Sequence, residues 1–414
     1  MLAKRKYKKN RERLMSKKHI LVISQYFYPE QFRINDMCAE WVKRGYKVTV
    51  LTGYPNYPEG KYYDGYGWFK RTRQRWNGVN IIRIPLTARG QGSVKLALNY
   101  FSFVISGFLW AWTTHIKADY VFTFEVSPMT QALIGTWYSK RRKIPNYLYV
   151  QDLWPENVEI VTGIHSPLVI KPIEAMVNHI YKHCDVIFAT SPSFVKEIQK
   201  RVKHNKQKVK YLPQYAEEFY KPVERKPVPE IPDDDSFKII FTGNIGKAQG
   251  LDILPKTAKL LKGKEKVKFV IVGDGRDKDN FLKQIADNGV QDMFIMIDRQ
   301  PPERIPELLA ACDAAFISFM PDPLFEKTIP AKLQSYMACG MPIIAAATGE
   351  TKRIVEGSKC GLCSDIGNVA ELEKNIKQLI HSCDMDQMSK VSGQYYISHF
   401  NKNKIMSYID SYYR

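Results

Sequence analysis

Three groups of residues have the types and spacing that chemistry needs. The first lies in KIIFTGNIGKAQGLDILPKTAKLL, Lys238 to Leu261. Lys238 to Thr242 reads as a short buried strand. Gly243, Gly246 and Gly250 punctuate a polar loop, and from Leu251 onward Ile253, Leu254, Ala258 and Leu261 recur at helical spacing. A strand, a glycine loop and a first helical turn form an anion cradle, because unpaired N–H groups leave the helix start and its dipole favours negative charge. Lys247 adds a positive charge and Asn244 and Gln249 add amides. The plainer alternative is an ordinary tight turn between strand and helix. The spacing is neither GxGxxG nor GxxxxGK[ST], which argues against dinucleotide and P-loop readings. The second group is Asp152 and Glu156, flanking Trp154 and Pro155 directly after the strand-like YLYVQDL. Carboxylates at the carboxyl end of a strand suit proton transfer or hydroxyl recognition; equally, Asp152 could cap the following turn. The third is Glu326, Lys327, Thr328 and Lys332, in the loop and helix before the strand Pro342–Ala346. Two further strand ends carry Gly273 and Asp274 (in VGDGRD) and Asp298 and Arg299.

These residues need a sheet to gather them. Ile20–Ser24, a helix closed by Gly45, and Lys47–Gly53 form the opening unit of a parallel, doubly wound sheet. Strands at Ala118–Glu125, Tyr147–Leu153, DVIFATS and Tyr211–Tyr215 continue it. YKPVERKPVPEIPDDDS, Tyr220 to Ser236, reads as a proline-rich linker whose DDD run is solvated. The alternation then resumes with strands at Lys238–Thr242, Lys268–Gly273, Phe294–Ile297, Ala314–Ser318 and Pro342–Ala346. The expected organisation is a basic tail over 1–18, an α/β domain over 19–219, the linker over 220–236, a second α/β domain over 237–383 and terminal helices over 384–414 that pack back toward the first domain. Two such domains are expected to face a central cleft, a usual place for a ligand.

Composition narrows the partners. A net charge of +20 in 414 residues implies nucleic acid, an acidic membrane face or a phosphorylated ligand. Nucleic acid is disfavoured: no reading module is visible, and the basic residues do not alternate with aromatics in one strip. Seven scattered cysteines suit a reducing compartment, and the lone CxxC at Cys360 and Cys363 lacks a second ligand pair, so no metal is expected. The head MLAKRKYKKNRERLMSKK is followed by too short an apolar run for a secretory signal. Leu96–Trp112 contains no charged residue and is nearly long enough to span a bilayer. A crossing helix would strand ADYVFTFE on the wrong side, which leaves a buried crossover helix or a helix lying in the membrane surface. The aromatic loop GYPNYPEGKYYDGYGW could stack on a sugar, enter an interface or only pack itself down.

SQYFYPE, TGYPNYPEGK, DLWPE, FTGNIGKAQGLD, VGDG, DRQPPERIPELLAACDA and IPAKLQSYMACGMPII, in that order, resemble the family 4 glycosyltransferases of GT-B architecture, which are retaining and metal-independent. The likeness runs from about Ile20 to Phe400 and is nearest to bacterial transferases of N-acetyl-fucosamine-type sugars in capsule or O-antigen assembly. It implies a nucleotide-diphosphate pocket at Gly243, Asn244, Gln249, Gly273, Asp274, Asp298, Arg299, Pro330 and Ser335. It implies catalytic roles for Asp152, Glu156, Lys247, Glu326 and Lys332, and an acceptor side at Glu30, Arg33 and Trp154. Departures are visible: Asn244 and Gln249 stand where the family has Arg and Lys, Lys327 and Ser335 where it has paired glutamates, and Gln151 where it has His. The implied donor is a UDP-sugar with no cofactor. The implied acceptor is a polyprenyl-diphosphate-linked sugar at the cytoplasmic face of the cell membrane, where the positive charge would meet anionic lipid. A nucleotide-sugar epimerase, of the same architecture, is the alternative.

Overall fold

The computed structural model describes residues 18–90, 92–382 and 384–413, so the basic tail expected over 1–18 lies, but for Lys18, outside the described residues. The chain divides into two units. The first takes the chain up to Thr190, Val195–Tyr211 and the terminus from Ile409; the second takes Ser191–Phe194 and Leu212–Tyr408.

The first unit runs β1 (His19–Ile23), α1 (Arg33–Lys43), β2 (Lys47–Thr52), β3 (Arg73–Trp76), β4 (Val79–Arg83), α2 (Ser93–Thr113), β5 (Tyr120–Glu125), α3 (Ala132–Arg142), β6 (Asn146–Val150), α4 (Glu156–Thr162), α5 (Pro167–Lys182), β7 (Val186–Ala189), α6 (Pro192–Arg201) and β8 (Val209–Tyr211). Its eight strands lie in the order β3-β4-β2-β1-β5-β6-β7-β8. HILVI, YVFTFE, NYLYV and VIFA are buried along their whole length, as strands covered on both faces must be. Only β3 runs antiparallel. It pairs with β4 through Asn77 and Gly78, both at positive φ (46° and 81°), a two-residue hairpin turn. This hairpin occupies sequence without an assigned element above, although RQRW-NG-VNIIR carries the signal. The last strand ends at Tyr211, where the expected one began.

The second unit runs β9 (Phe237–Thr242), α7 (Ile253–Leu261), β10 (Val267–Val272), α8 (Lys278–Asp287), β11 (Phe294–Ile297), α9 (Ile305–Ala310), β12 (Ala314–Ser318), α10 (Pro323–Glu326), α11 (Ala331–Ala338), β13 (Ile343–Ala346), α12 (Gly349–Ser358), β14 (Gly361–Ser364), α13 (Val369–Ile380), α14 (Met385–His399) and α15 (Lys402–Asp410). All six strands are parallel, in the order β11-β10-β9-β12-β13-β14. Alternate residues feed opposite cores: Ile240, Val270 and Ile317 on one face, Ile239, Phe269 and Phe316 on the other.

Two expectations change, those for the linker and for the terminal helices. The presumed linker packs on the second unit. Val228 and Ile231 are buried in its core, Arg225 meets Asp313 at 2.6 Å and Glu230 meets Arg304 at 2.7 Å. Val228 and Ile231, three residues apart in PVPEI, give that stretch something to bury, so it is no tether. Of the DDD run, Asp234 pairs with Lys238 and Asp235 with Lys266. The CxxC is core: Cys363 lies within β14, and its thiol donates to the Ala347 carbonyl. The terminal helices α14 and α15 belong to the second unit through Tyr408. Only from Ile409 does the chain join the first, where Tyr413 is buried beside Trp41 and Tyr120 and Asp410 pairs with Arg44 at 3.0 Å.

Candidate active site

A doubly wound sheet offers a crevice where its strand order reverses, beyond the carboxyl ends of the two strands that part. In the second unit those strands are β9 and β12. The loop after β9 holds Gly243 to Gly250; the passage after β12 runs through α10 to α11. Tyr336 of α11 accepts the Thr242 amide N–H at 2.8 Å and lies 3.1 Å from the Thr242 hydroxyl, which fixes the helix against the end of β9. The start of α11 is therefore the one that faces Gly243. This corrects the expected cradle. A turn at Lys247–Gln249 intervenes before α7, whose N-cap is Asp252, a carboxylate already paired with Lys256 at 2.9 Å. The N-cap of α11 is Pro330, which makes no side-chain cap, and of the first-turn amides Leu333 N–H bonds Pro330 O at 2.9 Å.

Lys332, in the first turn of α11, folds back over this junction. Its ammonium lies 3.9 Å from the centroid of the Phe241 ring, and its Cε would stand 2.7 Å from a Cβ placed on Gly243. Among the described residues its side chain has no hydrogen-bond or ion-pair partner. Burial pushes its pKa down to about 7. An unpaired ammonium beside helix amides is a site for an anion.

The neighbouring loops are laced backbone to backbone. The Gly243 N–H donates to Val272 O at 2.8 Å, Ile245 N–H to Asp274 O at 2.9 Å and Gly273 N–H to Ile297 O at 2.9 Å. A Cβ on Gly273 would land on the Gly243 carbonyl oxygen. The Asn244 amide reaches Gln249 Oε1 at 3.4 Å. Gly243, Asn244, Gln249, Gly273, Asp274 and Lys332 are thus brought together. Lys247, Arg299 and Glu326 are exposed, and their side chains make no hydrogen bond or ion pair among the described residues. Asp298 is not free: Lys278 binds it at 2.8 Å and holds its carboxyl below the usual range. Ser335 is buried, and its hydroxyl donates back to Ala331 O in its own helix. Lys278, between Asp274 and Asp298, was missed; its place in VGDGRDK at the start of α8 was the available signal.

In the first unit the order reverses between β1 and β5. Here Asp152 Oδ2 accepts both the N–H and the hydroxyl of Ser127, at 2.8 and 2.7 Å, and the Ser127 Oγ accepts from Trp154 Nε1 and Asn157 Nδ2. Burial raises the Asp152 pKa despite those bonds. Ser127 is the hub, and nothing in FEVSPMT marked it in advance. Next to it Glu125 is wholly buried, and burial with the Asp152 charge pushes its carboxyl well up. Arg89 spans the loops nearby, with its guanidinium 5.3 Å over the Tyr57 ring and Nη1 3.4 Å from the Tyr26 hydroxyl.

Glu156 Oε1 is engaged by Arg201 at 3.0 Å, and Arg201 also binds Glu174 at 2.7 Å. One reading changes here. Glu30 is buried: Oε1 accepts the amides of Asn56 and Tyr57 at 2.8 and 2.7 Å, and Oε2 that of Phe27 at 3.3 Å. It organises the aromatic loop from beneath and does not present a carboxylate to a ligand. Arg33 is half-buried at the start of α1. Glu30→Ala should cost about 2–3 kcal/mol, read by urea unfolding, since three amides lose their acceptor; Glu30→Gln, which keeps Oε1, should cost under about 1 kcal/mol. Burial raises the Glu30 pKa to about 7 from 4.5. Its contribution is therefore full below about pH 4.5 and lost as pH rises through about 7, a slope that Glu30→Gln should flatten.

Residues 31–213 match the glycosyl transferase 4-like domain, and residues 223–393 match the glycosyl transferases group 1. The chain is 28% identical over 144 residues to D-inositol 3-phosphate glycosyltransferase of Pseudarthrobacter chlorophenolicus, a match covering 34% of this chain and only 33% of that protein. It is 25% identical over 391 residues to the putative colanic acid biosynthesis glycosyl transferase WcaI of Escherichia coli, covering 87% of this chain and 92% of that one. Among solved structures it is similar to sucrose-phosphate synthase of Thermosynechococcus elongatus (TM-score 0.74, 14% identity, 96% and 98% of the two chains). It is also similar to HepE of Anabaena in complex with UDP and glucose (TM-score 0.68, 16% identity, 95% and 98%). The epimerase alternative finds no support in these likenesses. Two parallel-sheet units, each with its crevice at a strand-order reversal, and these two successive matches lead to one conclusion: the chain belongs to the group 1, family 4-like glycosyltransferases of GT-B fold.

Proposed function

We propose that the enzyme moves an N-acetylated deoxyhexosamine from a UDP-sugar to a sugar carried on polyprenyl diphosphate, with retention and without a metal, during assembly of a bacterial surface polysaccharide at the cytoplasmic membrane face. The observation that carries the donor half is Lys332, an ammonium without an anion, set against Gly243 and the open start of α11. The HepE structure holds UDP, and the WcaI relative is named for colanic acid synthesis; both support the reading.

Breaking the bond between the sugar C1 and the β-phosphate oxygen leaves a diphosphate with growing negative charge. Lys332, the α11 amides and the Gly243 loop stabilise that charge, with the exposed Lys247 and Arg299 as mobile cations. The departing phosphate oxygen takes the proton of the attacking acceptor hydroxyl on the same face, which retains configuration. That assignment suits the first unit, where Glu156 is in an ion pair and Asp152 holds Ser127. Asp152 then positions the wall formed by Ser127, Trp154 and Asn157.

Thermal stabilisation by a panel of UDP, GDP and their sugars tests the donor. UDP and a UDP-N-acetylhexosamine should stabilise, GDP should not, and UDP release should require an acceptor and survive EDTA. Stabilisation by GDP alone, or consumption of UDP-sugar without acceptor, would overturn the proposal.

A further inference from the structure

We infer that α2 and the loop tip Trp68–Phe69 form one docking surface for an anionic bilayer. Only the purpose of the surface, delivery of a lipid-borne acceptor, rests on the function proposed above.

The helix comes first. α2 is long and apolar enough to cross a membrane by length and composition. It connects β4 to β5 within one sheet, and its inner face is packed. Phe103 and Ala111 are buried with Ile134 and Tyr138 of α3, and a Cβ on Gly107 would strike Ile134. The outer face carries Leu98, Phe101, Ile105, Leu109 and Trp112, each 52–62% exposed, at spacings of three and four residues. A crossover helix bathed in water carries polar residues there. One continuous apolar stripe of this length is an interaction face.

The loop tip is a second, separate observation. Phe69 is 85% exposed at φ 63°, a left-handed conformation unusual for a bulky side chain, and Trp68 beside it is 54% exposed. The tip is tied down. Trp68 Nε1 donates to the Tyr62 hydroxyl at 3.2 Å, and that hydroxyl donates to Leu86 O at 2.5 Å. Tyr62 packs against the same apolar cluster that holds Phe103 and Ala111, so tip and helix lie on one face of the sheet.

Charge selects the occupant. From Gly65 to Ala118 the chain has eight Lys or Arg residues, all but the buried Arg83 at least partly exposed, and no Asp or Glu. Lys70 and Arg71 follow the tip directly, Lys95 lies in the first turn of α2 and Lys117 follows its end. Arg141 donates to the Ala111 and Thr114 carbonyls, and Arg142 donates to Thr114, so cations close the carboxyl end of α2. An apolar stripe with a basic rim fits acyl chains below and anionic headgroups beside it. A protein surface or a second copy of this chain would have to supply acidic residues around an apolar groove.

The test uses the full chain with vesicles of phosphatidylcholine alone and of phosphatidylcholine with phosphatidylglycerol. The variants are Phe101→Ser/Ile105→Ser/Leu109→Ser and, separately, Phe69→Ser. All keep every Lys and Arg, the basic residues 4–18 included. Wild type should sediment with the anionic vesicles and much less with the neutral ones. The α2 variant should bind at least about tenfold more weakly, and Phe69→Ser severalfold more weakly, since each removes apolar surface that the bilayer would bury. Both should keep the wild-type thermal stabilisation by UDP, which shows that the fold and donor site survive. Wild type that ignores anionic vesicles, or variants that bind as wild type does, overturns the inference. A wild-type dimer dissolved by the α2 variant, without vesicle binding, assigns the stripe to a second copy and overturns it too. Vesicle binding without UDP stabilisation would instead sink the function proposed above and leave the surface standing.

Discussion

Lys332→Met is expected to lower turnover by about 10²–10³-fold while leaving the enzyme folded, the range seen when one preorganised donor to a developing oxyanion is removed. Lys247→Met and Arg299→Met should cost less, about tenfold each, because exposed cations act through water. The stronger test is in pH. The free lysine titrates near 7 because burial opposes its charge. A bound diphosphate offsets that burial and raises the pKa again. Above about pH 7 binding must therefore take up a proton, and UDP affinity should fall as pH rises, approaching tenfold per pH unit. Calorimetric titration of UDP across pH 7–9 reads this slope, and Lys332→Met should abolish it. Stability moves the other way. An unfolded lysine titrates near 10.5, so the unfolded chain binds more protons between about 7 and 10.5. The cost of Lys332 to the fold is full below 7 and fades as pH climbs to 10.5. Lys332→Met should accordingly melt higher than wild type at neutral pH, by about 2–4 °C for each kcal/mol regained. A variant with unchanged turnover and an unchanged pH slope would remove Lys332 from the reaction.

The same residue shows what the sequence makes legible. Parallel strands buried on both faces are apolar from end to end, so HILVI, YVFTFE, KIIFT and AAFIS announce both sheets. The loops at their carboxyl ends follow from the alternation alone, and with them most of the candidate residues. Which helix start faces Gly243 does not follow. That depends on Tyr336 bonding to Thr242, ninety-four residues away, and no local pattern encodes it. Charge partners are hidden for the same reason. Glu156 looks like a free acid until Arg201 is seen beside it, and Asp298 until Lys278 is. Glu30 looks like a surface ligand because its acceptor bonds go to amides of a loop beyond Gly53. The readable part is periodicity; the unreadable part is pairing at long range.

Gly273→Ala tests such a pairing, and it should raise the Kd for UDP at least about tenfold, or 1.4 kcal/mol. At φ 148° the backbone of Gly273 is in a region that side chains avoid, at a cost of about 1–3 kcal/mol for any other residue. The added methyl meets something more serious than a poor dihedral: it lands on the carbonyl oxygen of Gly243. That oxygen cannot step aside alone, since its own N–H is held by Val272 O, and the next loop residues are held by Asp274 O and by the N–H of Asp277. The whole turn from Gly243 to Ile245 has to move, and it is the turn against which Lys332 rests. Gly263→Ala is the control. Gly263 also has positive φ, 73°, but has no atom within 4 Å of the added methyl. It should lose about 1 kcal/mol of stability for its backbone alone and keep UDP affinity unchanged. Urea unfolding and calorimetry on the pair separate strain from site damage. If folded Gly273→Ala binds UDP as wild type does, the turn after β9 is not where the diphosphate sits, and the donor site must be sought at another strand end.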